Sequence, residues 1–406
     1  MEVFPKDFLW GAATSSYQVE GNNAYCDWWK WEKDSGLKEV SGQACRHYQL
    51  YKEDFELAKS LNHNVHRLSI EWSRIEPRQG DFLDLEIQHY IKVIDYLKGL
   101  GIEPVVTLYH FTLPSWVAEL GGWQNKETID YFLRYVSRLI EALSGRVKYW
   151  VTINEPNVYV RHCYVIGQWP PQEKSLKKAR LATDNLISAH IRAYDLIHKI
   201  YKEKNLPCPK LSIAQNMQAF VPCNKSFRNR FSARLRHKVY NLYIIDKLIR
   251  RKKLDFIGLN YYSRTLVEAD SWRAKDLFLG ECRLNHHPLK KNSLGWDIYP
   301  QGLYDILLDL KKRYGLAVFI LENGICTEDD SLRRDFIREH LVKLSEAIAQ
   351  GCDVLGYIYW SLIDNYEWDK GFAPRFGLVG VDYNTYKRQV RQSAKDFADF
   401  IKTGRF

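Results

Sequence analysis

The sequence predicts an α/β fold closed into a single (β/α)8 barrel with short rim loops, with residues 1–406 as one domain. Three observations predict it. Strand-like apolar runs alternate with helix-like segments eight times along the chain. Each strand-like run gives way, at its C-terminal end, to polar or aromatic residues. No glycine-rich phosphate turn follows the first run. Gly11-Ala12-Ala13-Thr14 does not fit Gly-x-Gly-x-x-Gly, which weighs against a doubly wound open sheet.

Taken in order, the strand-like runs fall at 8–13, 64–70, 103–108, 147–153, 210–215, 254–259, 316–321 and 354–359. Helical segments with apolar residues three and four apart follow at 51–61, 85–100, 126–143, 176–204, 227–251, 301–314, 331–350 and 390–402. In such a barrel the strand C-termini share one rim, where active sites lie. The first run delivers Gln18 and Glu20 to that rim, and the second carries Arg67 near its end. The third is followed by His110, the fourth by Glu155, the fifth by Asn216 and the sixth by Tyr261 and Tyr262. Glu322 ends the seventh and Trp360 the eighth.

Composition bounds the function. The chain has 13 Trp and 26 Tyr, an aromatic content that suits a site stacking flat apolar faces such as sugar rings, and equally a large core. The net charge is +10, and the segment 224–253 holds eleven Lys or Arg against one acid, Asp246. The excess is therefore local, and a nucleic-acid partner is not expected. The N-terminus, Met1-Glu2-Val3-Phe4-Pro5, lacks a basic region followed by an apolar one, and no apolar run approaches the roughly 20 residues that span a bilayer. The eight cysteines are scattered with no Cys-x-x-Cys pair, which points to reduced thiols, no metal site and a cytoplasmic location.

Two glutamates at strand ends carry the chemistry. Glu322-Asn323-Gly324 follows one apolar run, and Asn154-Glu155-Pro156 follows another. Retaining glycoside hydrolysis needs two carboxyl groups roughly 5–5.5 Å apart, one as nucleophile and one as acid and then base. The fourth and seventh strands lie across the barrel, so their ends can face each other over a sugar. Glu322 is assigned as nucleophile, with Arg67 as the cation that holds it ionised, and Glu155 as acid/base. Asn154 is a candidate partner for the sugar 2-hydroxyl.

The chain resembles the family 1 glycoside hydrolases, the β-glucosidase family, over nearly its whole length. The segments that carry the resemblance run from Phe8-Leu9-Trp10-Gly11 to Gln18-Val19-Glu20-Gly21, with Arg67-Leu68-Ser69-Ile70-Glu71-Trp72 and Thr152-Ile153-Asn154-Glu155-Pro156. Others are Leu259-Asn260-Tyr261-Tyr262, Gly295-Trp296-Asp297, Glu322-Asn323-Gly324, and Tyr359-Trp360-Ser361 through Glu367-Trp368. The resemblance implies retaining hydrolysis of β-glycosides and no cofactor. It implies that Gln18, His110, Asn154, Glu367 and Trp368 bind sugar hydroxyls and that the ring stacks on Trp360. It further implies that Tyr262 bonds the nucleophile and that Asn216 and Asn260 support the site.

The resemblance also separates branches. Phospho-glycosidases carry Ser at the Glu367 position, and Lys and Tyr where this chain has Pro374 and Phe376, so no pocket for a 6-phosphate is expected. Thioglucosidases carry Gln in place of Glu155, which is kept here. Departures are Phe111 and Thr112, where Trp and Asp are common, and a trimmed loop after Asn216 that passes from Phe220-Val221-Pro222 into a basic helix. In that helix, 226–250, Phe227, Phe231, Leu235, Val239, Leu242, Ile245 and Ile249 keep helical spacing beside Arg228, Arg230, Arg234, Arg236 and Lys238. Two readings stand: a barrel helix with its apolar stripe on the sheet, or a contact for an anionic or membrane surface. The expected function is exo-acting hydrolysis of small β-glucosides, with β-galactosides and β-fucosides as further candidates. The alternative is a catalytically weak carbohydrate-binding or membrane-surface-associated barrel protein.

Overall fold

The computed structural model describes residues 4–282 and 288–405; Met1 to Val3, part of the N-terminal segment read above, lie outside the described residues. Eight parallel strands close in sequence order: β1 (Leu9–Ala13), β2 (Val65–Ser69), β3 (Glu103–Thr107), β4 (Tyr149–Asn154), β5 (Lys210–Pro222), β6 (Ile257–Val267), β7 (Val318–Asn323) and β8 (Val354–Trp360). β1 pairs with β8, which shuts the barrel. The strands read as continuous apolar runs because helices cover the outside and side chains fill the inside. All six residues of β4 and of β7 are buried. The helix Thr128–Leu143 shows how the outer layer is built: Ile129, Phe132, Tyr135, Val136, Leu139, Ile140 and Leu143 form a buried stripe at helical spacing.

Register shifts interrupt the ladder at the rim: between Val151 and Asn154 on β4, at Asn260 opposite Glu322, and between Ile320 and Asn323 on β7. Bulges of this kind re-aim side chains next to active sites.

Three expectations are corrected. First, β5 and β6 do not stop at the rim. They continue side by side from Met217/Tyr261 to Pro222/Val267, where the expected trimmed loop would be. Their outer residues are half-exposed, so the apolar run that marks a buried strand fades before the strand ends.

Second, the cysteines are not all thiols. Cys223 and Cys282 form a disulfide, with Cα atoms 5.7 Å apart across a sequence separation of 59. The paired extensions of β5 and β6 bring the two together, a proximity that spacing in sequence does not encode. Glu268 lies beside the two sulfurs, which are bonded to each other.

Third, the segment 227–251 is not one helix with a buried apolar stripe. Phe227–Arg236, a π-type turn His237–Leu242 and Tyr243–Arg250 follow one another; Leu242 and Ile245 of the stripe are buried as expected, whereas Phe227, Phe231 and Val239 are exposed. No helix among the described residues is long and apolar enough to cross a membrane.

Candidate active site

Glu322 reaches the rim because β7 ends there and turns at once. A Cβ on Gly324 would stand 1.9 Å from the Trp360 carbonyl oxygen, so only glycine lets this turn pass the end of β8. Asn323 pins the turn: its Nδ2 donates to Tyr261 O (2.7 Å) and its Oδ1 accepts from Tyr357 OH (2.8 Å). The Glu322 carboxylate is held at both oxygens. Oε1 accepts from Arg67 Nη1 at 2.5 Å, and Oε2 accepts from Tyr262 OH at 2.6 Å. Arg67 is 1% exposed, so this ion pair is buried and undiluted by solvent.

Glu155 stands in a different field. It follows β4 with φ +40° and starts the short helix Pro156–Val160, with proline in its first turn. This left-handed geometry is uncommon for a side-chain-bearing residue and clusters at functional sites. Its Oε1 accepts from Asn216 Nδ2 and from Asn260 Nδ2, both at 2.9 Å. No cation bonds it. Burial, and then the charge of Glu322, raise its carboxyl to about 8.

Asn154 connects the two sides. Its Oδ1 accepts from Arg67 Nη2 at 2.6 Å, which fixes the amide so that Nδ2 faces His110 Nε2 at 3.2 Å. His110 must then accept through Nε2 and carry its proton on Nδ1, which is buried without a partner. Burial, and then Arg67, hold this imidazole well below its ordinary range, so it is neutral. Its ring lies nearly parallel to Trp360 (centroids 6.0 Å apart) and Trp368 (6.1 Å), which places three flat faces around one space.

Gln18 and Glu367 complete the wall. Gln18 is fully buried; its Oε1 accepts from Ser15 Oγ (2.7 Å) and its Nε2 donates to Asn365 Oδ1 (2.9 Å) and Glu367 Oε2 (3.1 Å). Burial, and then Glu322, raise the Glu367 carboxyl to about 8. Trp368 is stacked on Tyr17 with ring planes 6° apart.

All twelve expected site residues therefore converge. Glu20 does not join them: it is buried and bonds Arg74 Nε (2.8 Å) and Tyr90 OH (2.7 Å), an internal ion pair behind the rim. Sequence reasoning missed three residues. Tyr240, on the basic helical segment, donates to Asn216 Oδ1 at 3.0 Å and so braces the amide that holds Glu155. Asp369 accepts from Gln168 Nε2 (2.6 Å) and Trp169 Nε1 (2.9 Å), anchoring the backbone beside Glu367 and Trp368. Trp296 packs edge-on against Tyr262 at 5.9 Å and is half open to solvent. The Gly295-Trp296-Asp297 segment was a visible signal for it; Tyr240 and Asp369 left none.

A parallel eight-stranded barrel with two buried glutamates and an aromatic floor at its strand C-termini defines a class: a glycoside hydrolase. The glycosyl hydrolase family 1 model matches residues 1–251 and 241–406, and the chain belongs to that family. It is similar to beta-glucosidase A of Thermotoga maritima, 33% identical over 449 residues that cover 99% of this chain and 98% of that protein. The solved beta-glycosidase from Pyrococcus horikoshii superposes with a TM-score of 0.92 at 39% identity, covering 98% of this chain and 95% of that one. The Thermotoga maritima beta-glucosidase solved in complex with glucoimidazole superposes at 0.91 with 33% identity, covering 98% of each chain.

Proposed function

We propose that the whole chain, residues 1–406, acts as one catalytic barrel: a retaining exo-β-glycosidase for non-phosphorylated β-glucosides, with β-galactosides and β-fucosides as further substrates. The observation that carries the reading is the split environment of the two glutamates. Glu322 has a buried guanidinium and a phenol on its oxygens, so its carboxylate is paired and aimed. Glu155 has only amides and burial, so it is kept protonated near neutral pH.

In the first step a Glu322 oxygen attacks the anomeric carbon. The bond from that carbon to the aglycone oxygen breaks, and the Glu155 proton moves to the leaving oxygen. Two N–H groups already occupy Glu155 Oε1, so the proton resides on Oε2. In the second step Glu155 takes a proton from water, whose oxygen bonds the anomeric carbon and releases Glu322. Two inversions give retention. His110, Asn154, Gln18, Glu367 and the Trp368 indole are proposed to bind the hydroxyls, with the sugar stacked on Trp360.

Glu367 also supports the choice of a non-phosphorylated sugar. The charges that act most strongly on it, those of Glu322, Asp369 and Glu155, are negative, which disfavours a 6-phosphate there. The names of the Thermotoga maritima relative and its glucoimidazole complex support a small sugar-like ligand. A cytoplasmic location is part of the proposal. Six cysteines outside the disulfide, including the exposed Cys208, support it, and the Cys223–Cys282 pair weighs against it.

The test is a 2-deoxy-2-fluoro-β-glucoside with a good leaving group. Intact mass should rise by one fluoroglucosyl group, and the labelled peptide should contain Glu322. NMR of early turnover should show β-glucose first. An α-anomer as first product, or the label on another residue, would overturn the reading.

A further inference from the structure

The helix Phe227–Arg236 is inside out. Its buried residues are Asn229, Ser232, Ala233 and Arg236, which keep helical spacing but are polar or small. They serve backbone groups of the 268–281 segment. Asn229 Oδ1 accepts from Ala269 N, and Ser232 Oγ and Arg236 Nε both donate to Leu277 O. Arg236 Nη2 also donates to Asp276 O (3.1 Å) and Gly280 O (2.7 Å), around the end of the short helix Ala274–Leu279. The apolar residues are left outward. Phe227 is 68% exposed, Phe231 41% and Trp272, on the facing segment, 54%. These three rings contact one another at 5.5–6.5 Å, so they form one patch.

Cations rim the rings. Residues 224–245 contain six Lys or Arg and no acid, and residues 268–281 contain two bases against four acids, leaving +4 for the unit. Arg230 and Arg234 are exposed and have no ion-pair partner among the described residues. A soluble helix normally buries the face that this one exposes. Exposed Phe and Trp ringed by Arg and Lys are the composition of elements that lie in a lipid headgroup layer: rings enter the acyl boundary and cations meet anionic headgroups. A purely anionic polymer would use the cations and leave the rings in water.

We propose that the Phe227–Phe231–Trp272 face, with Arg230 and Arg234, is a docking surface for an anionic lipid bilayer. The helical segment that carries it also carries Tyr240, the brace of Asn216, about 20 Å along the axis from Phe227 at the usual rise per residue.

The test is co-sedimentation of the full chain with phosphatidylcholine vesicles, with and without phosphatidylglycerol, at low and high salt. Binding is expected only to the anionic vesicles and is reversed by salt. F227S/F231S/W272S and R230E/R234E should each lower partitioning by more than about tenfold, with soluble aryl-glucoside turnover and melting temperature unchanged. Three results would overturn the proposal: no sedimentation of the wild type with anionic vesicles at low salt, wild-type-level binding by either variant, or equal binding to neutral vesicles. Sedimentation velocity supplies a fourth. A concentration-dependent dimer that the triple variant abolishes, without vesicle binding, would assign the face to a second copy of the chain.

Discussion

Glu155 and Glu322 are the same residue at equivalent places, each at the end of a fully buried strand, yet their surroundings separate them. They are separated in the ring only by β5 and β6. Glu322 accepts from a buried guanidinium at 2.5 Å and a phenol at 2.6 Å. Glu155 accepts from two amides, carries no bonded cation and is raised to about 8. Neutral amide donors offset only part of the cost of burying a carboxylate, whereas a guanidinium adds an opposite charge. One residue type thus supplies a paired carboxylate and an acid, because the Arg67 guanidinium bonds one side chain and not the other.

The comparison breaks most completely at Glu322. Glu322→Gln keeps the shape and removes the nucleophile, and kcat for an aryl-β-glucoside should fall by at least ~10⁴-fold in steady-state assays. Glu155→Gln should cost about 10²–10⁴-fold on a poor leaving group, and much less on a dinitrophenyl glucoside, which needs no protonation. Because the Glu155 carboxyl is raised, it is protonated below about pH 8 and lost as an acid above it. The pH profile of kcat/KM should therefore hold through neutrality and fall above about 8. That limb should vanish in Glu155→Gln but persist in Glu367→Gln, although Glu367 titrates in the same range and the two interact.

Arg67→Met should test the other side. It leaves the Glu322 carboxylate buried without its cation, and a loss of about 3–5 kcal/mol in denaturant unfolding is expected. Tyr262→Phe removes one bond to a charged group. A drop of roughly 10- to 100-fold in kcat with little change in unfolding midpoint is expected.

Much of this was legible in the sequence. Apolar runs placed all eight strands, because a strand buried on both faces has no alternative composition. Glu322-Asn323-Gly324 was legible as a strand end, and Gly324 now has a cause in its contact with Trp360. What was not legible depends on contacts between distant segments. The extension of β5 and β6 past the rim rests on pairing between half-exposed residues, and the disulfide follows from it. The spacing of Phe227 and Phe231 was read correctly as an apolar stripe, but its direction was not fixed. Arg236 and Ser232 turned the helix over by bonding the backbone around Leu277. Glu20 looked like a rim group and is instead tied to Arg74 and Tyr90.

The division of labour between the two glutamates is tested most directly by azide rescue. Glu155→Ala and Glu322→Ala are each given an activated aryl β-glucoside and sodium azide, and the glucosyl azide is assigned by NMR. Azide entering beside a vacated Glu155 attacks the glycosyl-enzyme and should yield the β-glucosyl azide. Azide replacing Glu322 attacks the substrate itself and should yield the α-glucosyl azide. The reverse pairing, or the same anomer from both variants, would contradict the assignment.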